Sequence, residues 1–380
     1  MKISILVHDL SSNSLVRTYP IAKVLERNYE IEIIGPVFGK EIFKPYQNEF
    51  SYKPIYCRCE GSKLNKIQRR ISGINKISDF VKGDIIYAFK PMYTSLRVGL
   101  SAKWRNRIPL ILDIEDWDAA PFFEKNIKEK MECLKTFHNP HNVFYNMLME
   151  TQVNKADDIT VVSNFLKSRF GGIKLPHGAD TYVFDPNKFD KNKNKIRWNI
   201  DKFKIIMFCG TMRQHKGLDE LIEAIKIINC KDIKLMIVGG GDLILSVKKL
   251  IETNRGAVIR IPYQPHSKMP ELLSMADIIV LPQRKTLFSM AQVPGKVFEA
   301  MAMAKPIIAT NVSDLPEILE NCGWIVEPEN PRQLAEAIQY VLDNPDEAFE
   351  ISQKARQKCI EKYSWASMEK ILKTLFGKYE

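Results

Sequence analysis

The stretch VLPQRKTLFSMAQVPGKVFEAMAMAKPIIAT, residues 280–310, decides the fold because it contains a strand, a helix and a second strand in succession. It begins in the apolar run ADIIVLP, continues as a polar loop, and predicts a helix over PGKVFEAMAMA that leads into the strand PIIAT. Pro294, Gly295, Lys296 and Glu299 lie where the loop becomes the helix. Unpaired N–H groups and partial positive charge allow a helix N-terminus to bind phosphate. On this pattern alone, Glu299 either caps its own helix or faces whatever is attached to such a phosphate.

Outward from this stretch, the second half of the chain alternates apolar runs with helical patterns. In chain order these are KIIMFCG, GLDELIEAIKII, KLMIVGGG, a helix from Asp242, AVIRI, MPELLSMA, ADIIVLP and GWIVEP. The first half shows the same alternation between KISILVHD and IKLPHG. Strands separated by helices predict parallel sheets with helices on their faces. We therefore predict an α/β chain of two doubly wound, Rossmann-like domains.

The length of the chain also indicates two domains. It has 380 residues, whereas single hydrophobic cores stop growing at roughly 250–300 residues. The composition turns polar over Asp185–Ile200, where lysine, asparagine and aspartate are frequent. We place the domain boundary there, between residues 1–187 and the segment that begins at residue 188.

The composition is that of a globular protein with an anionic partner. The net charge is +11 and the isoelectric point is about 9.1, which fits nucleic acid, an anionic membrane surface or a phosphorylated small molecule. No nucleic-acid-binding module is recognisable, so we expect no nucleic acid partner. Seven scattered cysteines, an odd number, indicate a reducing compartment. No apolar run is long enough to span a membrane, and MKISILVHDL resembles a first strand rather than a signal peptide, so we expect a cytoplasmic protein.

Ligands of doubly wound sheets gather at the carboxyl ends of the strands. In the first half those ends are His8–Asn13, Lys90–Thr94, Asp113–Asp118, Ser163–Asn164 and His177–Asp180. The loop HDLSSNS contains no glycine, which excludes the G-x-G-x-x-G turn of a dinucleotide-binding dehydrogenase. Asp116 and Asp118 could bind a divalent metal or be solvated loop residues. No histidine cluster supports a metal there, and we predict none.

A basic amphipathic helix is predicted over residues 60–80, EGSKLNKIQRRISGINKISDF. Leucine and isoleucine recur at helical spacing, with lysine and arginine between them. Such a helix can lie on an anionic bilayer, or it can pack its apolar face on the domain core with its lysines in water. An anionic membrane surface is therefore a further candidate partner, with peripheral attachment at the inner face of the cell membrane.

The turn GTMRQHKGLDE, residues 210–220, joins the first strand of the second half to its helix. Gly210 ends the strand, and Arg213 and Lys216 precede the helix that begins at Gly217. Cations at the positive end of a helix oppose its dipole unless an anion lies there. The turn therefore predicts a phosphate-binding site, in which Arg213 and Lys216 supply charge and the helix supplies N–H groups.

Taken together, these motifs resemble the retaining glycosyltransferases of family 4, which have the two-domain GT-B architecture. The resemblance covers nearly the whole chain and is clearest from Ser163 onward. VVSNFLKS with LPHGADTYVFDP is similar to the end of the family's first domain, and FCGTMRQHKGLDELIEAI is similar to its phosphate-binding turn. ADIIVLP, PGKVFEAMAMAKPIIAT, DLPEIL and GWIVEP are similar to its donor-site block. Each motif alone is weak, whereas the set is specific.

The resemblance implies transfer of a sugar from a nucleotide diphosphate sugar to a glycan, a lipid-linked molecule or another acceptor, with retention at the anomeric carbon. It implies no metal and no cofactor beyond this donor substrate. The two domains would face each other across a cleft. The acceptor would bind to residues 1–187 and the donor to residues 188–362, and a final helix within residues 363–380 would return to the first domain. A role in the biosynthesis of surface polysaccharide or glycoconjugate follows.

The resemblance also assigns roles to single residues. Glu299 matches the glutamate that binds the donor ribose, and Lys216 matches the lysine on the donor diphosphate. With Arg213 they form the expected catalytic group, because fixed cations stabilise charge on the leaving diphosphate. The other donor-binding candidates are Gly210, Thr211, Tyr263, Gln264, Val293, Pro294, Gly295 and Lys296, of which Tyr263 and Gln264 match positions near the nucleobase. The acceptor-side candidates are His8, Asp9, Asn13, Glu115 and Asp116.

Three positions depart from the family pattern. Many members carry a second glutamate eight positions before Glu299, where this chain has Ala291. The subgroup with Pro-x-Lys before the glutamate also lacks it, and Lys296 would then lie close to the diphosphate. Thr211 stands where an arginine usually follows the strand glycine, and Arg213 would substitute for that arginine. Glu115 stands at the position of a first-domain histidine.

Two other functions stay open. A GT-B sugar-nucleotide epimerase shares the architecture, but it needs carboxylates in the first domain as acid and base. A non-catalytic nucleotide-sugar-binding subunit would explain Ala291 and Thr211. Incubation with several sugar nucleotides would separate transfer, epimerisation and binding alone.

Overall fold

The computed structural model describes residues 1–56, 76–134, 142–240, 248, 252–253 and 256–380. These residues form two compact units, Met1–Pro176 with Met368–Glu380, and His177–Ser367. No helix within the described ranges combines the length and the apolar character needed to cross a membrane. Most of the basic helix predicted over residues 60–80 lies outside the described residues, and so does the start of the helix expected from Asp242.

The first unit is built on a parallel sheet. Among its described residues the sheet has seven strands, in the order β3-β2-β1-β4-β5-β6-β7. The strands are β1 (Lys2–Leu6), β2 (Glu30–Val37), β3 (Tyr52–Tyr56), β4 (Ile85–Phe89), β5 (Leu110–Ile114), β6 (Asp158–Val161) and β7 (Ile173–Lys174). The helices are α1 (Leu15–Leu25), α2 (Leu96–Asn106), α3 (Ala120–Glu124), α4 (Ile127–Leu134), α5 (Val143–Glu150) and α6 (Asn164–Phe170). All residues of β4 and β5 are buried, as expected of strands covered on both faces.

The second unit repeats this plan. Its described residues include a six-stranded parallel sheet in the order β10-β9-β8-β11-β12-β13. The strands are β8 (Lys204–Cys209), β9 (Ile233–Val238), β10 (Val258–Ile261), β11 (Ile278–Leu281), β12 (Ile307–Thr310) and β13 (Trp324–Val326). The helices are α7 (Lys191–Arg197), α8 (Leu218–Ile228), α9 (Met269–Ser274), α10 (Leu287–Ala291), α11 (Lys296–Ala302), α12 (Leu315–Ile318), α13 (Pro331–Asp343), α14 (Pro345–Lys362) and α15 (Trp365–Phe376). The prediction of an α/β chain with two doubly wound, Rossmann-like domains is confirmed.

The polar stretch Asp185–Ile200, whose composition indicates a boundary, is folded within the second unit. The side chain of Asp190 caps the N-terminus of α7. Lys195 is buried on this helix, and its Nζ donates to the carboxylate of Asp277 at 2.6 Å. Burial of a charged side chain is possible when the charge is paired. Composition alone does not reveal such pairing, and this stretch therefore indicates a domain boundary in the sequence.

Helix α15 continues from the second unit into the first. Near its start, the Trp365 ring N–H donates to the Gly178 carbonyl within the second unit at 3.2 Å. Farther along, the Phe376 ring packs against Tyr29 and Tyr87 of the first unit, with centroids 5.7 and 5.5 Å away. The compact units are bounded at residues 176 and 367, whereas the sequence places boundaries at 187 and 362. The division of function among those predicted segments stays a prediction.

The core of the first unit contains a charged pair. Arg17 on α1 is fully buried, and its Nε and Nη2 donate to the two carboxylate oxygens of Asp113 on β5, at 3.0 and 2.9 Å. Nη2 also donates to the Leu175 carbonyl at 2.8 Å. The Thr160 hydroxyl of β6 donates to the same carboxylate at 2.7 Å. The pair therefore ties α1 to two strands and to the segment that ends the first unit.

We expect Arg17→Met to lower the free energy of unfolding of the first unit by about 3–5 kcal/mol, because Asp113 would stay buried without its cation. The double variant Arg17→Met/Asp113→Leu should recover part of the loss. Lys44→Met is the control, since it breaks only an exposed pair with Glu41 and should change stability by less than about 1 kcal/mol. Urea unfolding followed by intrinsic fluorescence measures all three. Equal stability of the Arg17 and Lys44 variants would contradict the role of the pair.

Candidate functional site

The carboxyl ends of β8 and β11 are neighbours at the centre of the second unit's sheet. The strand order reverses between them, and ligands of doubly wound sheets bind at such a switch point. The loops that follow the two strands touch, because Lys216 Nζ donates to the side-chain oxygen of Gln283 at 2.8 Å. Lys216 also donates to the side-chain oxygen of Gln292. Lys216 therefore lies where the fold alone would place a ligand.

A close backbone contact presses the Lys216 loop against the loop that follows β11. Residues Gln214–Lys216 form one turn of 3-10 helix, and Gly217 follows with a φ of 64°. A Cβ atom at residue 217 would lie 1.8 Å from the Pro282 carbonyl oxygen. Both the conformation and the space therefore require glycine. The exposed Arg213 side chain before this turn makes no hydrogen bond or ion pair with the described residues, and its place beside a phosphate stays a prediction.

A second close contact joins the ends of β8 and β9. Gly239 has a φ of 142°, and a Cβ there would lie 2.0 Å from the Gly210 carbonyl oxygen. The Thr211 hydroxyl oxygen lies 3.2 Å from the hydroxyl oxygen of Tyr263, whose side chain is partly exposed. Gln264 follows Tyr263, and its side chain donates to a carbonyl of its own loop. The structure thus brings four of the predicted donor-binding residues to one edge of the sheet.

Glu299 is bound by partners from two elements. It lies in the first turn of α11, and its side chain is 13% exposed. Lys296 Nζ donates to both carboxylate oxygens at 3.1 and 3.0 Å, and His266 Nε2 lies 3.2 Å from Oε1. Burial alone would raise the pKa of Glu299, but the charge of Lys296 and the contact with His266 lower it to about 2. Glu299 is therefore ionised near neutral pH and can accept hydrogen bonds.

Cys209, the buried last residue of β8, lies within reach of the charges near the start of α11. Burial raises the pKa of its thiol to about 12, and the charges of Lys296 and Glu299 both act on it. Lys216 reaches the segment before α11 through its bond to Gln292. Lys216, which follows β8, is therefore bonded to the segment that leads into α11, the helix that carries Lys296 and Glu299. The two residues for which the sequence predicts the central roles, Lys216 and Glu299, lie on the same side of the sheet.

The segment predicted as a continuous polar loop before α11 contains the short helix α10. The Ser289 amide donates to the Thr286 hydroxyl at 3.1 Å, and the Thr286 amide donates to the Ser289 hydroxyl at 3.0 Å. This is a capping box with serine at the third helical position instead of glutamate, which the sequence pattern does not show. Ala291, at the end of α10, is fully buried. A glutamate at this position would have no room without a change in local packing.

The remaining donor-side candidates lie just before α11. Val293 is buried, so its side chain packs in the core and only its backbone could contact a ligand. The Pro294 carbonyl accepts from the Val297 amide at 3.1 Å. Gly295 begins the helix beside His177, whose ring lies 3.7 Å from the position that a Cβ would take.

Of the acceptor-side candidates, His8 and Asp9 lie at the switch point of the first unit's sheet, between β1 and β4. His8 and Asp9 follow β1, and the Thr94 hydroxyl, near the end of β4, donates to the His8 carbonyl at 2.7 Å. Asp9 accepts from the amide and the hydroxyl of Ser11 at 2.9 and 2.6 Å, so its carboxylate supports its own loop. Asn13 is exposed at the end of that loop.

Glu115 and Asp116 share one lysine with Asp118. Lys90 follows β4, is buried, and lies with its Nζ 2.6 Å from Asp116, 3.3 Å from Asp118 and 3.6 Å from Glu115. Burial raises the pKa of Glu115 well above its usual range and that of Asp118 to about 6. Within the described ranges, no group of three His, Cys, Asp or Glu side chains is arranged to hold a metal ion. Independence from metal stays a prediction.

The segment that contains Lys216 and Glu299 has a recognisable sequence family. Residues 189–358 match the family model described as "Glycosyl transferases group 1". This segment, which is most of the second unit, is thus similar to group 1 glycosyl transferases. The match includes the turn after β8, the segment before α11 and most of α14, and it leaves the first unit outside.

Curated relatives match over about half of this chain. "Uncharacterized glycosyltransferase MJ1607" of Methanocaldococcus jannaschii is 29% identical over 202 residues, which cover 51% of this chain and 50% of the relative. The "N,N'-diacetylbacillosaminyl-diphospho-undecaprenol alpha-1,3-N-acetylgalactosaminyltransferase" of Campylobacter jejuni is 29% identical over 189 residues, or 48% of each chain. This chain therefore spans about half the length of these curated relatives.

A solved structure matches over the whole chain. Anabaena Alr3699/HepE in complex with UDP-glucose has a TM-score of 0.76 and 16% identity, and the match covers 100% of both chains. An identity this low shows the fold alone. Together with the two doubly wound sheets, it identifies the fold as GT-B, which confirms the fold predicted from the sequence.

Sequence reasoning missed three residues that contact the predicted ones, His266, Gln283 and Gln292, whereas Lys90 stands in a strand end already identified from the sequence. The three bind Glu299 or Lys216, and Lys90 binds the first-unit carboxylates. Gln283, His266 and Lys90 all follow strands of a parallel sheet, and such positions share one edge. Searching every strand end for polar side chains in the second half, as in the first, would have found two of these, Gln283 and His266.

We expect Glu299→Gln to lower the thermal midpoint of the second unit at neutral pH, because Lys296 loses its carboxylate partner. Since the folded pKa of about 2 lies below the ordinary 4.5, the charge of Glu299 contributes stability above pH 4.5, and this contribution is lost as the pH falls toward 2. The difference in midpoint from wild type should be constant between about pH 7 and 5.5 and shrink below 4.5. Glu336→Gln, exposed on α13, is the control. A difference that persists unchanged to about pH 3 would contradict the lowered pKa.

Proposed function

We propose that this protein is a glycosyltransferase that moves a sugar from a nucleotide diphosphate sugar to a glycan or lipid-linked acceptor. The proposal is carried by one observation, namely that Lys216 lies at the switch point of the second unit and bonds to the segment that leads to Glu299, all within residues that match group 1 glycosyl transferases. A nucleotide diphosphate sugar offers a charged diphosphate and a hydroxylated ribose side by side. An ammonium and an ionised carboxylate suit these two parts.

Lys216 would bind the donor diphosphate. Its ammonium donates to two amide oxygens, from Gln283 and Gln292, and these carry no charge that would neutralise it. When the bond from the anomeric carbon to the diphosphate breaks, negative charge accumulates on the departing oxygen. A cation already fixed at that position stabilises the charge without rearrangement, and the N–H groups of the loop before α8 would add to this effect.

Glu299 would accept hydrogen bonds from the ribose hydroxyls. Its lowered pKa keeps it an acceptor at every pH at which the protein is expected to work. Lys296 and His266 fix the carboxylate in position, so that binding of the ribose requires little reordering of the side chain. Tyr263, partly exposed at the same edge, and Gln264 would line the position of the nucleobase.

Retention of configuration without a metal is part of the proposal. Fixed cations would take the role of a metal at the diphosphate, and the departing phosphate would accept the proton of the acceptor hydroxyl, so that catalysis depends mainly on positioning. Ala291 is buried where many family 4 enzymes have a second glutamate, so other groups must bind the hydroxyls of the donor sugar.

The acceptor and the cellular place follow from the name of one relative and from the net charge. The Campylobacter jejuni relative is named for an acceptor linked to undecaprenol diphosphate, which favours a lipid-linked or glycan acceptor here. We therefore place the protein in the cytoplasm, at the inner face of the cell membrane, in the biosynthesis of surface polysaccharide or glycoconjugate. The net charge of +11 supports attraction to anionic lipid.

A sugar-nucleotide epimerase is the second candidate. The observation that favours it is the group of carboxylates around Lys90, because burial raises the pKa values of Glu115 and Asp118 toward a range in which they can hold protons. An epimerase would change the sugar without any acceptor, whereas a glycosyltransferase releases nucleoside diphosphate when an acceptor is present. The products therefore separate the two.

We expect the purified protein to release nucleoside diphosphate from one member of a panel of nucleotide sugars, dependent on added lipid-linked or glycan acceptor. Lys216→Ala should lower kcat/KM at least about 100-fold, because charge on the leaving diphosphate loses its fixed cation. Glu299→Ala should weaken donor use strongly with the fold intact. Lys226→Ala on α8 is the matched control and should leave the rate unchanged.

Other outcomes of this assay would assign other functions. An epimerised sugar nucleotide formed without acceptor would favour the epimerase. Binding of a sugar nucleotide with neither transfer nor epimerisation, across the whole panel, would identify a non-catalytic subunit. Full activity of both variants would contradict the proposed donor-binding roles of Lys216 and Glu299.

We expect the full chain to co-sediment with vesicles that contain phosphatidylglycerol at low salt and to be released at high salt. The physical reason is the screening of its net positive charge, which acts over roughly a Debye length. Vesicles of phosphatidylcholine alone are the control. Equal sedimentation with and without anionic vesicles would contradict the proposed peripheral membrane attachment.

A further inference from the structure

Gln283 is a buried amide at the switch point of the second unit. It follows β11 by two residues and is 2% exposed. Its backbone carbonyl accepts from the Thr310 hydroxyl at the end of β12, at 2.7 Å. The backbone is therefore fixed between two neighbouring strands, and the side chain extends from it to Lys216.

The side-chain oxygen of Gln283, Oε1, has a hydrogen-bond partner, and the side-chain nitrogen, Nε2, has none among the described residues. Oε1 accepts from Lys216 Nζ at 2.8 Å. Exchanging the oxygen and nitrogen of the amide would place N–H groups against an ammonium, which has no acceptor. The orientation with Oε1 on Lys216 is therefore the favourable one. It leaves the amide N–H donors of Gln283 buried and unpaired.

A buried donor without a partner destabilises a folded protein, and native structures keep few of them. The two heteroatoms of one amide are about 2.3 Å apart, so Nε2 lies within about 5 Å of Lys216 Nζ. Donors at this separation can bond to one oxygen between them or to two oxygens of one phosphate. The unpaired donor and the ammonium proposed to bind phosphate thus form one site.

We propose that Gln283 is a ligand of the donor's diphosphate, donating from Nε2 to a phosphate oxygen that Lys216 binds at the same time. This inference rests on the proposed function and adds a second side chain to the diphosphate site. Lys216 supplies the charge, and Gln283 supplies a neutral donor whose direction the backbone fixes. A nucleoside without phosphate would leave Nε2 unpaired, so the residue also discriminates for phosphorylated ligands.

The test is a double-mutant cycle measured by calorimetric binding of nucleoside diphosphates. UDP, GDP, ADP and dTDP are titrated into wild type, and the tightest of them is used for the variants Gln283→Met, Lys216→Met and the double variant. Methionine has nearly the volume of glutamine but no N–H group. Gln339→Met, exposed on α13, is the matched control. Thermal midpoints without ligand accompany each titration.

Gln283→Met should weaken binding of the diphosphate about tenfold or more, because a hydrogen bond to a charged group is lost. The same substitution in the Lys216→Met background should still weaken binding by about threefold, since Gln283 contacts the phosphate itself. Without ligand, Gln283→Met loses the unpaired donor and also the bond from Lys216, so its thermal midpoint should stay close to that of wild type. Gln339→Met should bind like wild type.

The outcomes that overturn the inference differ from those that overturn the function. Wild type that binds no nucleoside diphosphate would contradict the proposed function. Wild type that binds, with Gln283→Met binding equally well, would refute the role of Gln283 alone. A loss that vanishes in the Lys216→Met background would mean that Gln283 only positions Lys216. A Gln283→Met variant that unfolds far below wild type without ligand, by more than the loss of one hydrogen bond explains, would mean that the amide is part of the core.

Discussion

The candidate site depends on how closely the loops at the carboxyl edge of the second sheet approach one another. Parallel strands end at a common edge, so the loops that follow them must pack with little between them. At Gly217 and Gly239 the neighbouring carbonyl oxygens leave no space for a Cβ, and both residues have positive φ. The first contact brings Lys216 to Gln283, and the second aligns the turn at Gly210. The chemistry of the edge is thus a consequence of backbone contact.

Two lysines at this edge, Lys296 and Lys216, differ in the groups to which they donate. Lys296 donates to the carboxylate of Glu299, so its charge is used to keep that carboxylate ionised. Lys216 donates to neutral amides, which orient an ammonium without cancelling its charge. The two lysines at this edge therefore hold different partners, a carboxylate for Lys296 and two amide oxygens for Lys216.

The alternation of strands and helices could be read from the sequence, because parallel strands buried on both faces are continuous apolar runs. Glu299 and Lys216 could be found because each stands in a local motif. His266 and Gln283 do not stand in such a motif. His266 lies 33 positions before its partner Glu299, and Gln283 lies 67 positions after its partner Lys216, so only the folded sheet brings each pair together. The stretch around α7 looks like a domain boundary in the sequence for a related reason. Lys195 on this helix is paired with Asp277, which lies 82 positions away, and a local sequence pattern does not include that partner.

The course of α15 has a consequence for how the chain folds as it is made. Residues of the first unit up to Pro176 emerge from the ribosome early, yet Phe376, which packs against Tyr29 and Tyr87, is translated only after the whole second unit. Domains generally fold as they appear, the N-terminal one first. In this chain, Tyr29 and Tyr87 of the first unit stay without their contact to Phe376 until translation ends. The second unit can complete its own core beforehand, so the part of the protein synthesised first is the part finished last.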